Sequence, residues 1–165
     1  MDGYRLEPAR PTDAALLALM SRSLVEAGLQ HSWDAQRILW HVRQPESVVL
    51  TARHDRTTAG FAIMRYADTS AHLNLLAVQP GHRRRGVGRA LLTWLQETAL
   101  TAGTFVIALE LRAGNQAARA FYRALGYLEV GEIRGYYQGV ESALRMRRDL
   151  RVGVAPAPPT REQTP

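Results

Sequence analysis

Apolar residues change their spacing several times along the chain, and each change predicts an element. Leu16, Leu17, Met20 and Leu24 recur three and four apart, which predicts a helix over 14–27. Thr12 or Asp13 can cap its start, and Gly28 ends it. Ile38, Leu39 and Val42 repeat the pattern over 34–43, with Pro45 just beyond. A short strand at 4–6 precedes both helices, and strand-like runs follow at 47–53, 60–67 and 72–78. Polar turns at 55–58 and 68–70 join these runs into an antiparallel meander. Helical spacing returns over 86–101 with Val87, Leu91, Leu92, Leu95 and Ala99, and Gly103 closes it. FVIALEL, 105–111, is almost continuously apolar, as expected of a strand buried on both faces. A helix over 115–125, closed by Gly126, and strands at 127–133 and 143–149 around a loop at 134–139 complete the pattern.

This order predicts one α/β domain over 1–150 with a mixed sheet, and a βαβ unit over 72–111 at its centre. The stretch from 152, VGVAPAPPTREQTP, is rich in proline and small residues and is expected to be disordered. A length of 165 residues, 46% of them hydrophobic and 22% charged, suits a single globular domain. No apolar run approaches the roughly 18 residues of a membrane span. The first residues, MDGYRLEPAR, are polar and do not read as a signal peptide. A cytoplasmic location with no membrane partner is therefore expected, as a monomer or homodimer. The chain has no cysteine, which removes disulfides, cysteine zinc sites and a cysteine nucleophile. His31, His41, His54, His72 and His82 form no close metal-ligand pair, and no GxSxG elbow is present. No metal is expected.

Charge sharpens the picture. The net charge is +6, and all 21 cations are arginine. That balance suits a phosphorylated cofactor, an acidic protein or nucleic acid, without choosing among them. The segment QPGHRRRGVGRALLTWLQ, 79–96, lies between a strand and a helix start. First-turn amides there lack intrahelical partners and sit at the positive end of the dipole. Gly86 and Gly88 leave those donors open, while Arg83, Arg84, Arg85 and Arg89 add charge, so the segment can cradle a phosphate. Gly81 and Gly86 have Walker spacing, but Val87 and Gly88 stand where lysine and Ser/Thr belong. Gly86 and Gly88 begin a dinucleotide fingerprint, but Leu91 fills its third glycine position. Glu110 does follow at a suitable distance, so a dinucleotide binder is the runner-up among nucleotide loops.

The strings LLAVQPGHRRRGVGRALL, LELRAGNQAARAFYRALGY and IRGYY, over 73–137, resemble the motifs of the GNAT family of N-acetyltransferases. Within it they are most similar to the bacterial ribosomal-protein alanine N-acetyltransferases of the RimI type. The resemblance implies the GNAT fold, a mostly antiparallel seven-stranded sheet flanked by about four helices, with acetyl-CoA as co-substrate. Arg83, Gly86 and Gly88 match the family's pyrophosphate loop, so 83–89, Val87 included, are expected to bind acetyl-CoA. The resemblance also implies that the strand ending at Leu76, Ala77 and Val78 splays from its neighbour, freeing backbone groups for the acetyl carbonyl and pantetheine. Ordinary β-pairing is the plainer fate of those residues, although Pro80 cannot continue a ladder as a donor.

Acetyl transfer needs a neutral amine and a proton for the leaving thiolate. An α-amine titrates near 7.7–8.0 and a lysine near 10.4, so a base helps either. Glu110 is the one charge within FVIALEL, and an apolar setting would raise its pKa and suit it to that work. The resemblance matches it to the family's proton acceptor; a structural ion pair with Arg112 or another arginine is the alternative. Tyr122 lies seven residues after Asn115, two helical turns, so both share a face. The resemblance puts this tyrosine beside the CoA sulfur as the acid, and the asparagine on the cofactor. Tyr122 as a core aromatic beside Phe121, and Asn115 as an N-cap, are the plainer readings. Tyr136 and Tyr137, in the expected loop, resemble the pair lining the peptide channel of N-terminal acetyltransferases, or are surface aromatics. His72 stands where the ribosomal enzymes often carry an acidic residue, a departure that bears on peptide specificity. It can act as a second base or relay, although its strand-start position favours a satisfied polar residue.

The expected reaction is direct transfer from acetyl-CoA to a protein N-terminal α-amine. A small amine such as a polyamine or antibiotic is the alternative acceptor. A non-catalytic acyl-CoA or dinucleotide module is the alternative of another class, with nucleic acid disfavoured as a partner.

Overall fold

Strands β1 (Tyr4–Pro8), β2 (Ser47–His54), β3 (Thr57–Tyr66), β4 (Ser70–Val78), β5 (Val106–Arg112), β6 (Leu128–Tyr137) and β7 (Glu141–Asp149) form one sheet in the order β1-β2-β3-β4-β5-β7-β6. A computed structural model describes residues 3–153. The expected disorder of the C-terminal stretch therefore concerns residues that, from 154 on, lie outside the described ones. Every neighbouring pair of strands is antiparallel except β4–β5. Helix α3 (Val87–Thr101) makes the crossover between those two, and α1 (Ala14–Leu24), α2 (Ala35–Arg43) and α4 (Gln116–Ala124) complete the helices. No helix among the described residues is long and apolar enough to cross a membrane.

The core has two layers, one on each face of the sheet. Val87, Leu91, Leu92, Leu95 and Ala99 of α3 bury against Leu50, Met64, Leu73, Ile107 and Leu109. Leu17, Met20 and Ile38 of α1 and α2 bury against Val49, Phe61, Ile63, Leu75 and Ala77 on the other face. That second layer contains no residue of β5. Hence β5 is not buried on both faces, as its apolar run suggested. Ile107, Leu109 and Leu111 are buried, while Val106, Ala108, Glu110 and Arg112 are only partly covered, because α1 and α2 stop at β4.

Strand β4 contains the feature that shapes the site. Ile63 pairs with Leu75 and Met64 with Leu73, so Asn74 is an extra residue, a β-bulge. Leu73 consequently faces α3 while Leu75 faces α1 and α2. Pairing of β4 with β5 runs only from Ser70 to Leu73 and ends where the bulge begins. The two strands separate beyond it, leaving the β5-facing edge of Leu76–Val78 unpaired by β5.

Several boundaries differ from the sequence pattern, and two of them bear on the site. Helix α1 ends at Leu24 rather than at 27, because the Glu26 carboxylate draws the following chain around itself. Its inward face is Ala14, Leu17, Ala18, Met20 and Ser21, and Leu16 is exposed. Strand β6 runs on through Tyr137, so Tyr136 and Tyr137 stand on a strand and not in a loop. Tyr137 still pairs with Glu141, and the reversal tightens into Gln138–Val140, with Gln138 and Gly139 at positive φ.

Candidate active site

A cleft of about 610 Å³ opens where β4 leaves β5. One wall is Leu76, Ala77 and Val78; the floor is the start of α3; the other wall is Asn115, Ala118, Phe121 and Tyr122. Ala90 makes the first backbone bond of α3, to the Gly86 carbonyl at 3.0 Å. The amides of Val87, Gly88 and Arg89 ahead of it have no acceptor among the described residues. Gly86 sits at φ 79°, where a side chain would be strained. At Gly88 a Cβ would lie 3.4 Å from the Phe121 ring and begin to fill the cleft. Arg83, Arg84 and Arg89 line this opening, and Arg83 Nε donates to the Val78 carbonyl at 3.2 Å. Arg85 is exposed and does not line the cleft, because the tight turn through Arg84 (φ 62°) and Gly86 carries it outward. The arrangement is an anion cradle continued by an apolar groove.

A second pocket, about 340 Å³, lies between the α1–α2 connection and β6. Glu110, His72, Asn74, Tyr136, Tyr137, Glu26, Trp33 and Arg37 line it. A smaller space of about 180 Å³ joins the two and is lined by both Glu110 and Tyr122, with Leu76, Asn115 and Tyr137. The anion cradle and the second pocket thus converge on one carboxylate and one phenol.

Glu110 is held from both sides. His72 Nε2 bonds its Oε2, and Arg145, its cross-strand partner on β7, donates to Oε1 at 3.2 Å. The His72 hydrogen bond holds the carboxyl below its ordinary range; burial opposes this, and Arg145 adds to it. This corrects the expectation of a raised pKa, since the site beside FVIALEL is not apolar: β4 and β7 supply a histidine and an arginine. Arg112 is not the partner, because it donates to Glu141 at 2.5 Å and to the Ala27 carbonyl at 2.6 Å. The same bond to Glu110 raises the His72 pKa, against burial, with Asn74 assisting.

Tyr122 is buried in the core layer and edges onto Tyr127, so it is the more enclosed of the Phe121–Tyr122 pair, although both line the cleft. Burial pushes its hydroxyl pKa up, which keeps it a proton donor. Asn115 is the N-cap of α4, accepting from Ala118 N at 3.0 Å, and also lines the cleft, so both readings of it hold geometrically. Tyr137 is partly buried and Tyr136 more exposed; burial raises both.

Several residues of the second pocket carry little sequence signal. Buried Glu26 accepts from Ser32 N at 2.8 Å and Ser32 Oγ at 2.6 Å, and meets His31 Nδ1 at 2.6 Å. Burial pushes its carboxyl up, but the Ser32 and His31 bonds outweigh that and leave it lowered. Arg37 stacks 3.7 Å over the Trp33 ring. Gln30 N donates to Gln138 Oε1, and Gln138 Nε2 donates back to the Gln30 carbonyl, both at 2.7 Å. This clasp ties the α1–α2 connection to the β6–β7 turn across the pocket's rim. The only hint for Glu26 was an acidic residue near a helix C-terminus, where the dipole disfavours it.

The sequence model described as "Acetyltransferase (GNAT) family" matches residues 14–127. A ribosomal protein bS18-alanine N-acetyltransferase from Salmonella typhimurium is 42% identical over 95 residues, 56% of this chain and 64% of that protein. The chain thus spans somewhat under two thirds of that relative's length. An N-alpha-acetyltransferase RimI from Mycobacterium tuberculosis is 34% identical, covering 71% of this chain and 75% of that protein. Among solved structures, the ribosomal-protein-S18-alanine N-acetyltransferase from Escherichia coli superposes with a TM-score of 0.78 at 26% identity, over 94% of this chain and 97% of that one.

Proposed function

Because the chain belongs to the acetyltransferase (GNAT) family, we propose that it moves the acetyl group of acetyl-CoA onto the α-amine of a protein N-terminus by direct transfer. The observation that carries this reading is the meeting of an anion cradle and a separate polar pocket at Glu110 and Tyr122. The names of the Salmonella and Mycobacterium relatives favour an N-terminal acceptor.

In this reading the diphosphate of acetyl-CoA takes the free first-turn amides of α3, with Arg84 and Arg89 alongside. The pantetheine arm follows the open edge of Leu76–Val78, where Arg83 gives up its bond to the Val78 carbonyl. The acceptor lies in the second pocket. Glu110 removes one proton from the ammonium, and the freed lone pair attacks the thioester carbonyl. The C–N bond forms, the C–S bond breaks, and the thiolate takes the Tyr122 proton. The second amine proton restores the tyrosine, so one proton is released per acetyl moved. Without cysteine, no acyl-cysteine intermediate is available.

Acetyl-CoA turnover over a panel of free N-terminal peptides, N-blocked lysine peptides and polyamines tests the reading. Turnover of the N-terminal peptides is expected. Turnover confined to polyamines would remove the N-terminal assignment. No thermal stabilisation by acetyl-CoA would remove the acetyltransferase itself.

A further inference from the structure

We propose that His72 and Glu110 work as one base, the carboxylate taking the proton from the acceptor amine and the imidazole keeping it. The inference rests on the acetyl-transfer reading and adds to it the group that sets the working pH.

The hydrogen-bond directions make the case. Asn74 Oδ1 lies 3.0 Å from His72 Nδ1, and a carbonyl oxygen can only accept, so Nδ1 carries a hydrogen. Nε2 therefore faces Glu110 Oε2 either with a bare lone pair or with a second proton. Two lone pairs facing each other repel, whereas a proton between them makes a charge-assisted bond. The vacant pair is thus built to receive one proton. Asn74 is the bulge residue of β4, so the irregularity that opens the sheet also fixes the imidazole's orientation.

Exposure divides the labour. The Glu110 side chain is 9% exposed and that of His72 is 43% exposed. A proton left on Glu110 alone would meet little water, whereas on the more exposed His72 it can leave. In balance, the amine N–H bond breaks and an O–H bond forms on Glu110. That O–H bond breaks in turn and an N–H bond forms at Nε2, leaving imidazolium beside carboxylate. The imidazolium then returns its proton to water.

The surrounding charges act in both directions. Arg145 on β7 opposes protonation of His72, and Arg37 on α2 and Arg65, opposite His72 on β3, are further cations. Glu26, after α1, favours protonation, while Tyr136 and Tyr137 on β6 stay neutral because burial raises them. Glu110 is the nearest of these groups and prevails, so the imidazole's affinity for a proton is raised.

His72→Gln keeps an N–H donor for Glu110 and removes only the titrating ring. The wild-type acid limb of kcat/KM is expected above pH 6.5, the ordinary histidine value. In His72→Gln it should fall by about two pH units or more, toward the carboxylate range, with a plateau lowered roughly 10- to 100-fold. An unmoved acid limb overturns the proposal while leaving acetyl transfer intact. NMR titration of the imidazoles needs no turnover. The His72 ring, assigned through its loss in His72→Gln, should titrate above 6.5 in the free protein and lower in Glu110→Gln. Equal titration in the two proteins overturns the pairing, whatever the acceptor panel shows.

Discussion

Glu110→Gln keeps the shape of the site and removes the proposed base. It is expected to lower kcat by about 10²- to 10⁴-fold, while the KM for acetyl-CoA stays unchanged, measured by steady-state kinetics. Tyr122→Phe keeps the core aromatic and should lower kcat alone, by about 10²-fold, with the melting temperature little changed. Glu26 acts on stability instead. Its carboxyl lies below the ordinary 4.5 when folded, so its contribution is present above the unfolded value and is lost as pH falls through the folded one. Glu26→Gln should cost about 1–3 kcal/mol at pH 7 by denaturant unfolding, and the difference from wild type should shrink toward pH 3. The sequence disclosed these residues unevenly. RRRGVGR and Glu110 stand out because spacing or isolation marks them. Glu26, Asn74 and Gln138 are single polar residues whose importance comes from partners distant in the chain.

The element that decides the chemistry is β4, and its sequence hides its irregularity. Ala71, Leu73, Leu75 and Ala77 recur at every second position, as one continuous face would. The bulge at Asn74 instead sends the first two toward α3 and the last two toward α1 and α2. Because every one of the four is buried, period-2 patterning cannot detect the switch. Deleting Asn74 keeps each flanking residue on its own face and removes the bulge. The deletion is expected to fold, with circular dichroism like wild type, and to weaken acetyl-CoA binding about tenfold or more by calorimetry as β4 pairs further along β5. By contrast, α3 was fully legible, since all five of its expected apolar positions are buried. The ends of α1 and β6 were not, because a tertiary contact at Glu26 and continued pairing at Tyr137 set them.

At the scale of the whole molecule, the sheet is a partition, and the anion cradle and the second pocket meet at one gap in it. The sequence order foretold the strands and helices but not which helices lie on which face, since that depends on packing rather than period. The arginine excess does have a whole-molecule reading. Acetyl-CoA at about 100 times its Kd should stabilise the fold by about 2.7 kcal/mol, or roughly 5–10 °C in Tm. Raising salt from about 0.05 to 0.5 M should reduce that shift by screening the cradle, whereas a shift carried only by apolar contact would persist.

The Gln30–Gln138 clasp closes part of the chain into a ring. On the proposed reading, an acceptor entering beside this bridge would meet it more readily with a free end than with a continuous run of backbone. A partner whose first residues are packed into its own fold would have no end to offer.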